Sequence, residues 1–384
     1  MFRIPRMFAL AMLCAALAVS AVAATASTEV LYVDETQSGT SSLITYNVNS
    51  TTAIARQVGS PLTVGGNNVI PVTVDGKNYI YVWDGTDVWV YATNGQGEPS
   101  STFSQHLTFN IAYPVNTFLV DPDGKFAYAA VTWMDQEDNS DAAISLFTID
   151  QSNGTLTDTQ KVVASYSSYY FPLTSFSFGL AGNRMFVGIL DDGPHTCNPG
   201  FDYYNVNQKT GSLGKITPLI EVNTDCGGTS SVAVTDRLIG VENDCCGAGS
   251  GTLQIFKETD PNQAVITCQS ANIPFCGDDA FGLSFDPPSD NIVFPDEDAN
   301  QTDIGHINLG ASEIVASPST LQGMPSVYFS PDDKLLYALY PSIRTLTQTN
   351  VLINSFHVGT GKITDSTSVP LQGAVTVAAT TLKN

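Results

Sequence analysis

The stretch Asn116–Val131, NTFLVDPDGKFAYAAV, decides the fold. Two apolar runs flank a Pro-Asp-Gly turn, so the chain goes out as one strand and comes back as the next. A polar loop follows. Ala143–Leu156, AISLFTIDQSNGTL, then alternates apolar and polar residues before an Asn-Gly turn. The same order returns in Pro325–Leu339, PSVYFSPDDKLLYAL, and Val351–Ile363, VLINSFHVGTGKI. Fainter copies recur roughly every fifty residues, the spacing of propeller blades.

Seven units can be laid out by their third strands: Leu43–Val48, Val88–Ala92, Ile144–Ile149, Phe201–Val206, Leu253–Phe256, Gly305–Leu309 and Ile353–Val358. Asn153-Gly154, Thr210-Gly211 and Thr360-Gly361 supply the turn after three of them, and Asn94-Gly95 a looser version. Val, Ile, Thr, Phe and Tyr fill the apolar runs, and no segment carries a sustained helical period. The first unit opens with a second strand, Glu29–Val33, and lacks a first one. The last unit is complete by about Leu371, yet Ala374–Leu382, AVTVAATTL, is one more apolar strand. The expectation is an all-β, seven-bladed β-propeller closed by a C-terminal strand that completes blade 1. Closure removes the open sheet edge that a radial array would otherwise expose.

The pattern F-x-x-D/S-P-D-G/D-K-x-x-Y, followed by a strand ending x-G-x-[LI]-T, resembles the seven-bladed propellers of the lactonase family. The match is strongest at Val120–Tyr128, Phe329–Tyr337, Thr155–Thr157 and Lys362–Thr364. That family includes six-phosphogluconolactonases and carboxymuconate-lactonising enzymes. The resemblance implies opening or closing of a lactone ring by His, Arg and Glu side chains around the central opening. The motif itself is architectural, since Pro-Asp-Gly only makes a turn.

Arg3 and Arg6, the apolar run Met7–Val22 and Ala24-Thr25-Ala26 read as an export signal over residues 1–26. Residues 27–384 then form a single propeller domain, secreted or periplasmic. No later run is long and apolar enough to span a bilayer. Lys and Arg number 15 and Asp and Glu 37. Without the two leader arginines, 13 bases face 37 acids, a net charge of −24. Nucleic-acid binding, which needs Lys and Arg against phosphate, is excluded. Six cysteines remain after the leader: Cys197, Cys226, Cys245, Cys246, Cys268 and Cys276. An even number in an exported chain reads as disulfides, with the pairing open among fifteen arrangements.

Loops joining second to third strands gather on one face. They are expected to carry Asp34 and Glu35; Asp84 and Asp87; Asp135, Glu137, Asp138 and Asp141; Asp191, Asp192 and His195; Glu242 and Asp244; and Asp296, Glu297, Asp298 and Asp303. Only Arg344, in the seventh, is basic. Clustered carboxylates call for a cation or a proton. Asp278, Asp279, Asp296 and Asp298 are the candidate calcium ligands, although they lack the regular spacing of a calcium loop. Tyr166, Tyr169, Tyr170 and Phe171 in one crossing loop, with Trp83 and Trp133 at strand ends, could stack on a sugar or pack between blades.

Two functions follow. One is a binding module whose acidic face takes a small-molecule, carbohydrate or cationic ligand. The other is a hydrolase of a neutral lactone, with His195 and Glu242 moving protons and Arg344 as the basic group, in which a metal on the rim carboxylates would activate water or polarise the carbonyl. A negative rim has the wrong sign for a sugar-phosphate lactone. His106, His306 and His357 fall in strands and read as structural. No serine elbow, phosphate loop or dinucleotide fingerprint is present. The protein is expected to be a monomer.

Overall fold

The computed structural model describes residues 28–134, 140–168, 176–181, 183–189, 200–216, 220–221, 229–243, 252–267, 283–286, 288, 291–296, 301–322, 326–332, 334–340, 349–357, 362–371 and 374–382. All regular structure among them is β. None of their segments is a helix long and apolar enough to cross a membrane.

Blade 1 contains β1 (Thr28–Gln37), β2 (Thr40–Asn49) and β3 (Ala55–Val64). Blade 2 is β4 (Asn68–Val74), β5 (Lys77–Trp83), β6 (Asp87–Ala92) and β7 (Gln105–Thr108). Blade 3 is β8 (Val115–Val120), β9 (Phe126–Met134), β10 (Ser140–Ile149) and β11 (Leu156–Ser168). Blade 4 is β12 (Phe176–Ala181), β13 (Arg184–Ile189), β14 (Gly200–Val206) and β15 (Leu213–Lys215), with β16 (Ile220–Glu221) also on β14. Blade 5 is β17 (Thr229–Val234), β18 (Leu238–Asn243), β19 (Thr252–Lys257) and β20 (Asp260–Thr267). Blade 6 is β21 (Ser284–Phe285), β22 (Asn291–Asp296), β23 (Gln301–Asn308) and β24 (Glu313–Gln322). Blade 7 is β25 (Ser326–Phe329), β26 (Leu335–Tyr340), β27 (Thr349–His357) and β28 (Lys362–Leu371). The last strand, β29 (Ala374–Thr381), pairs antiparallel with β1, from Glu29 opposite Thr381 to Thr36 opposite Ala374. The tail thus completes blade 1 and closes the ring, as its alternation predicts.

The Pro-Asp turn works through the residue before the proline. Asp121 Oδ1 accepts from the backbone N–H groups of Lys125 (2.6 Å) and Phe126 (2.8 Å). Ser330 Oγ accepts from those of Lys334 (3.1 Å) and Leu335 (2.9 Å). Asp286 Oδ1 accepts from Asn291 N at 2.9 Å. These caps are buried, so a short side chain with an oxygen is required there. That explains the Asp/Ser choice in the repeated motif.

Sheets stand face to face around the axis, and the core is divided among the junctions. Seven apolar clusters each join two neighbouring blades. Tyr32, Tyr81, Tyr128 and Tyr337, in second strands, are fully buried there. Each such ring stabilises its junction by roughly 1.5–3 kcal/mol if its hydroxyl is satisfied. The hydroxyls are satisfied across the junction. Tyr32 donates to Gly97 O (2.7 Å), Tyr81 to Gly154 O (2.6 Å), Tyr128 to Gly211 O (3.0 Å) and Tyr337 to Glu29 Oε1 (2.9 Å). Blades 4 and 5 use Arg184 Nη1 to Glu258 O (2.6 Å) and Arg237 Nη1 to Pro288 O (2.5 Å). Blades 6 and 7 are joined by Ile363 N to Ser319 Oγ at 3.1 Å. The bolts at six of the seven junctions sit at the turn face, where first meets second strand and third meets fourth. In blade 2 the turn glycine with positive φ is Gly97 (81°), where Asn94-Gly95 was expected.

Several rim acids lie inside strands rather than in loops. Asp34 and Glu35 belong to β1, which runs on to Gln37, and Asp34 is buried. Asp303 belongs to β23 and is fully buried, bonded by Gln301 Nε2. Asp141 pairs with Trp133 within the sheet. Tyr166 belongs to β11, because that outer strand extends to Ser168. Trp83 is buried against Phe118, so it is core. Sequence reading ended these strands early because polar residues at their ends look like loop.

Candidate functional site

The loop face carries the connections between second and third strands and the crossings between blades. Its best-defined part lies on blades 2 and 3. The blade 2 connection, residues 84–86, is tied to the next crossing. Phe109 N donates to Thr86 O and Val115 N to Gly85 O, each at 2.8 Å. Asp84 Oδ1 accepts from the backbone N–H of Thr86 and of Asp87, both at 2.7 Å. That carboxylate is spent on holding its own loop.

The crossing delivers Tyr113. Its ring stacks on Trp133, with centroids 4.9 Å apart and planes within 4°. Tyr113 is 40% exposed, so the pair forms a shelf open to solvent. Beside it, β8 is bulged. Val115 pairs with Val131 and Thr117 with Ala130, leaving Asn116 as the extra residue. Asn116 Oδ1 accepts from Thr132 N (2.8 Å) and Thr132 Oγ1 (3.1 Å). A backbone N–H needs an acceptor, so the amide oxygen must face Thr132. Sequence reading missed Tyr113 and Asn116; the only signal for the bulge is a polar residue interrupting an inner strand.

Further out on blade 2, His106 Nε2 lies 3.0 Å from Asp87 Oδ1 and stacks on Trp89 at 5.0 Å. Thr108 Oγ1 donates to the same Asp87 oxygen at 2.6 Å. That bond and the one from His106 hold the Asp87 carboxyl below its usual range. The partners satisfy each other, which suits the structural role expected for His106.

The predicted site residues divide. Glu242 lies at the loop-face end of β18, opposite Ser231 of the inner strand. Asp296 ends β22 on the same face. His195, Arg344, Asp278, Asp279 and Asp298 lie outside the described residues, as do Cys197, Cys226, Cys245, Cys246, Cys268 and Cys276. Among the described residues no three His, Cys, Asp or Glu side chains are arranged to hold a metal ion.

Charge is distributed by face. The eleven lysines and arginines among the described residues lie in the turn-face hairpins, at the strand ends beside them, or, as with Lys161 and Lys215, on outer strands. Several pair with acids there, as Lys125 with Asp123 (2.8 Å) and Lys334 with Asp332 (3.0 Å). None reaches the loop face. Asp34, near that face, is buried with no hydrogen-bond partner of good geometry among the described residues. Burial pushes its carboxyl up to about 7, against the pull of the nearby Ser41 and Thr36 hydroxyls.

No family model matches this chain, and neither does any curated protein. Solved structures do. A protein assigned as a 6-phosphogluconolactonase from Bacteroides fragilis superposes with a TM-score of 0.64 at 15% identity, over 92% of this chain and 99% of that one. The periplasmic gluconolactonase PpgL of Pseudomonas aeruginosa gives 0.63 at 13% identity, over 91% and 98%. A second protein assigned as a 6-phosphogluconolactonase, from Bacteroides uniformis, gives 0.62 at 11%, over 92% and 100%. At these identities the likeness is one of fold: the chain has the seven-bladed architecture of the lactonase-type structures over nearly its whole length.

Proposed function

We propose that the protein is an exported hydrolase that opens a neutral lactone ring at its loop face. The carrying observation is the full-length likeness to lactonase-type propellers, one of them a periplasmic gluconolactonase. The exposed Tyr113–Trp133 shelf supports it, since a flat, weakly polar ring stacks on such a surface. Charge selects the substrate. A chain of net charge −22, with Arg344 as the one base expected on this face, favours a neutral ring over a phosphorylated one.

In this reading water adds to the acyl carbon, the ring C–O bond breaks, and the ring oxygen leaves with a proton. Glu242, at the loop-face end of its strand, and His195 are the proton carriers, and Arg344 receives the new carboxylate. Calcium held by Asp278, Asp279, Asp296 and Asp298 would polarise the carbonyl. The leader and an even cysteine count support export with disulfides.

A lactone panel assayed with and without chelator tests this. Glucono-lactone is expected to turn over at least tenfold faster than its 6-phosphate, and Glu242→Gln and His195→Ala to remove most of the rate. No turnover of any lactone sinks the proposal. Glycan binding without turnover would favour the binding module, for which the same shelf would serve.

A further inference from the structure

We propose that Asp34 anchors a site for one monovalent metal cation, such as sodium, inside the junction of blades 1 and 2, with Thr36 and Ser41 as its hydroxyl ligands. The site is separate from the lactone chemistry and does not rest on it. Asp34 lies on β1, between β29 and β2. Its neighbours fix the side it takes. Val30 and Tyr32, at the same alternation, pack with Val82 and Tyr91 of blade 2. Thr376, opposite Asp34 on β29, donates its hydroxyl to Asn67 O, in the crossing to blade 2, at 2.7 Å. Asp34 therefore points into the junction, where it is 1% exposed. Neither of its carboxylate oxygens has a hydrogen-bond partner among the described residues. Two residues towards the loop face, Thr36 pairs with Ser41 across the ladder, and their hydroxyl oxygens lie 2.7 Å apart. Both hydroxyls are near enough to pull on the Asp34 carboxyl. Two carboxylate and two hydroxyl oxygens thus gather on one side of adjacent strands.

Burial strips a carboxylate of its hydration, so a charge of opposite sign must replace the water. The described residues around it supply no base. Leu43 comes from β2, Val82 from β5, and Trp89 and Tyr91 from β6, and only Tyr91 of these titrates. The charge that acts on Asp34, that of Glu35, has the same sign. A proton would occupy one oxygen and leave the other bare, whereas an ion takes both oxygens and the hydroxyls together. Oxygen donors suit a hard cation. The number of carboxylates sets its charge. Among the described residues no three acidic, His or Cys side chains gather, and one buried negative charge is neutralised by one positive charge. The ion ties β1 to β2 beside the closing strand, so the stability of the ring responds to it.

Melting curves of the full chain test this, in sodium chloride or tetramethylammonium chloride at equal ionic strength with chelator present. At about pH 8.5, about 0.2 M sodium in place of tetramethylammonium should raise the wild-type midpoint by roughly 2 °C or more, the effect of a ligand that binds only the folded state. At about pH 5 the difference should vanish, because a proton then holds the carboxyl. Asp34→Asn should show no sodium effect at either pH. Ser41→Ala, which keeps the charge, should show a reduced one. Broadening of the sodium NMR line by the folded protein should follow the same order. Equal midpoints in the two salts at the higher pH overturn the inference and leave Asp34 protonated or hydrated. A sodium effect that Asp34→Asn retains also overturns it, since the ion then sits elsewhere. If Asp34→Asn fails to fold, the wild-type sodium line decides. Broadening at the higher pH that disappears at the lower supports the site, because ordinary carboxylates stay ionised at both; no broadening at the higher pH overturns it.

Discussion

Single residues in this protein are fixed by what the neighbouring blade presses against them. Gly154 shows how tightly. Its φ is +71°, and a Cβ there would stand 2.9 Å from the Tyr79 ring of blade 2. Its carbonyl also takes the Tyr81 hydroxyl. Gly154→Ala therefore combines left-handed strain with overpacking and should cost about 2–4 kcal/mol. A urea midpoint shift of that size checks it; a change under 0.5 kcal/mol would show that the hairpin shifts freely. The same residue was legible in the sequence as an Asn-Gly turn, but the reason it cannot vary was not. Asn116 is the opposite case. In NTFLV only a polar residue interrupting an inner strand hints at a bulge, because a bulge is set by the partner strand's register.

At the level of elements, β29 carries the closing function. It covers the inner edge of β1 and buries Val377 and Leu382. A chain ending at residue 373 loses that ladder and its apolar contacts, on the order of 5 kcal/mol. We expect early, less cooperative unfolding and faster proteolysis within β1. A synthetic peptide of residues 374–382 added in trans should restore part of the melting temperature. An unchanged melting temperature for the truncated chain would show that the tail is dispensable. This element was visible in advance because strand counting leaves one strand short at one end and one over at the other. Strand ends were less visible. β1 and β11 run past the predicted ends because their last polar residues still complete ladders.

The whole ring is joined at a seam that holds buried acid. Glu29 lies near the start of β1, where the closing strand pairs with it, is fully buried, and accepts from Tyr337 beside Asp332 and Lys334. Burial first, and the Asp332 charge second, push its carboxyl up to about 9. The folded chain thus keeps a proton that the unfolded chain releases near 4.5. Stability from this group is full below about pH 4.5 and is lost as pH rises towards 9; by pH 7 the loss is about 3 kcal/mol. Asp34, at the other end of β1, adds a smaller loss between about 4 and 7. Glu29→Gln keeps the shape and the acceptor for Tyr337 without the proton. Its stability should exceed that of wild type at pH 8.5 and match it near pH 4.5, as read by denaturant midpoints. Parallel pH profiles for the two proteins would rule out Glu29 as the source.

The sequence alone determined the blade count, the closing tail and the Pro-Asp turns, because these depend on local alternation and on the conformations open to Pro, Gly and Asp. It also carried the charge imbalance. Tertiary structure alone decided which acids face water. Asp34 and Asp303 read as rim residues yet are buried, since a strand's end is set by its ladder partner. It alone brought Tyr113 onto Trp133 and turned Asn116 outwards. Those contacts join a crossing loop, an inner strand and a second strand, and only the packing of one sheet edge against the next sets the distances between them.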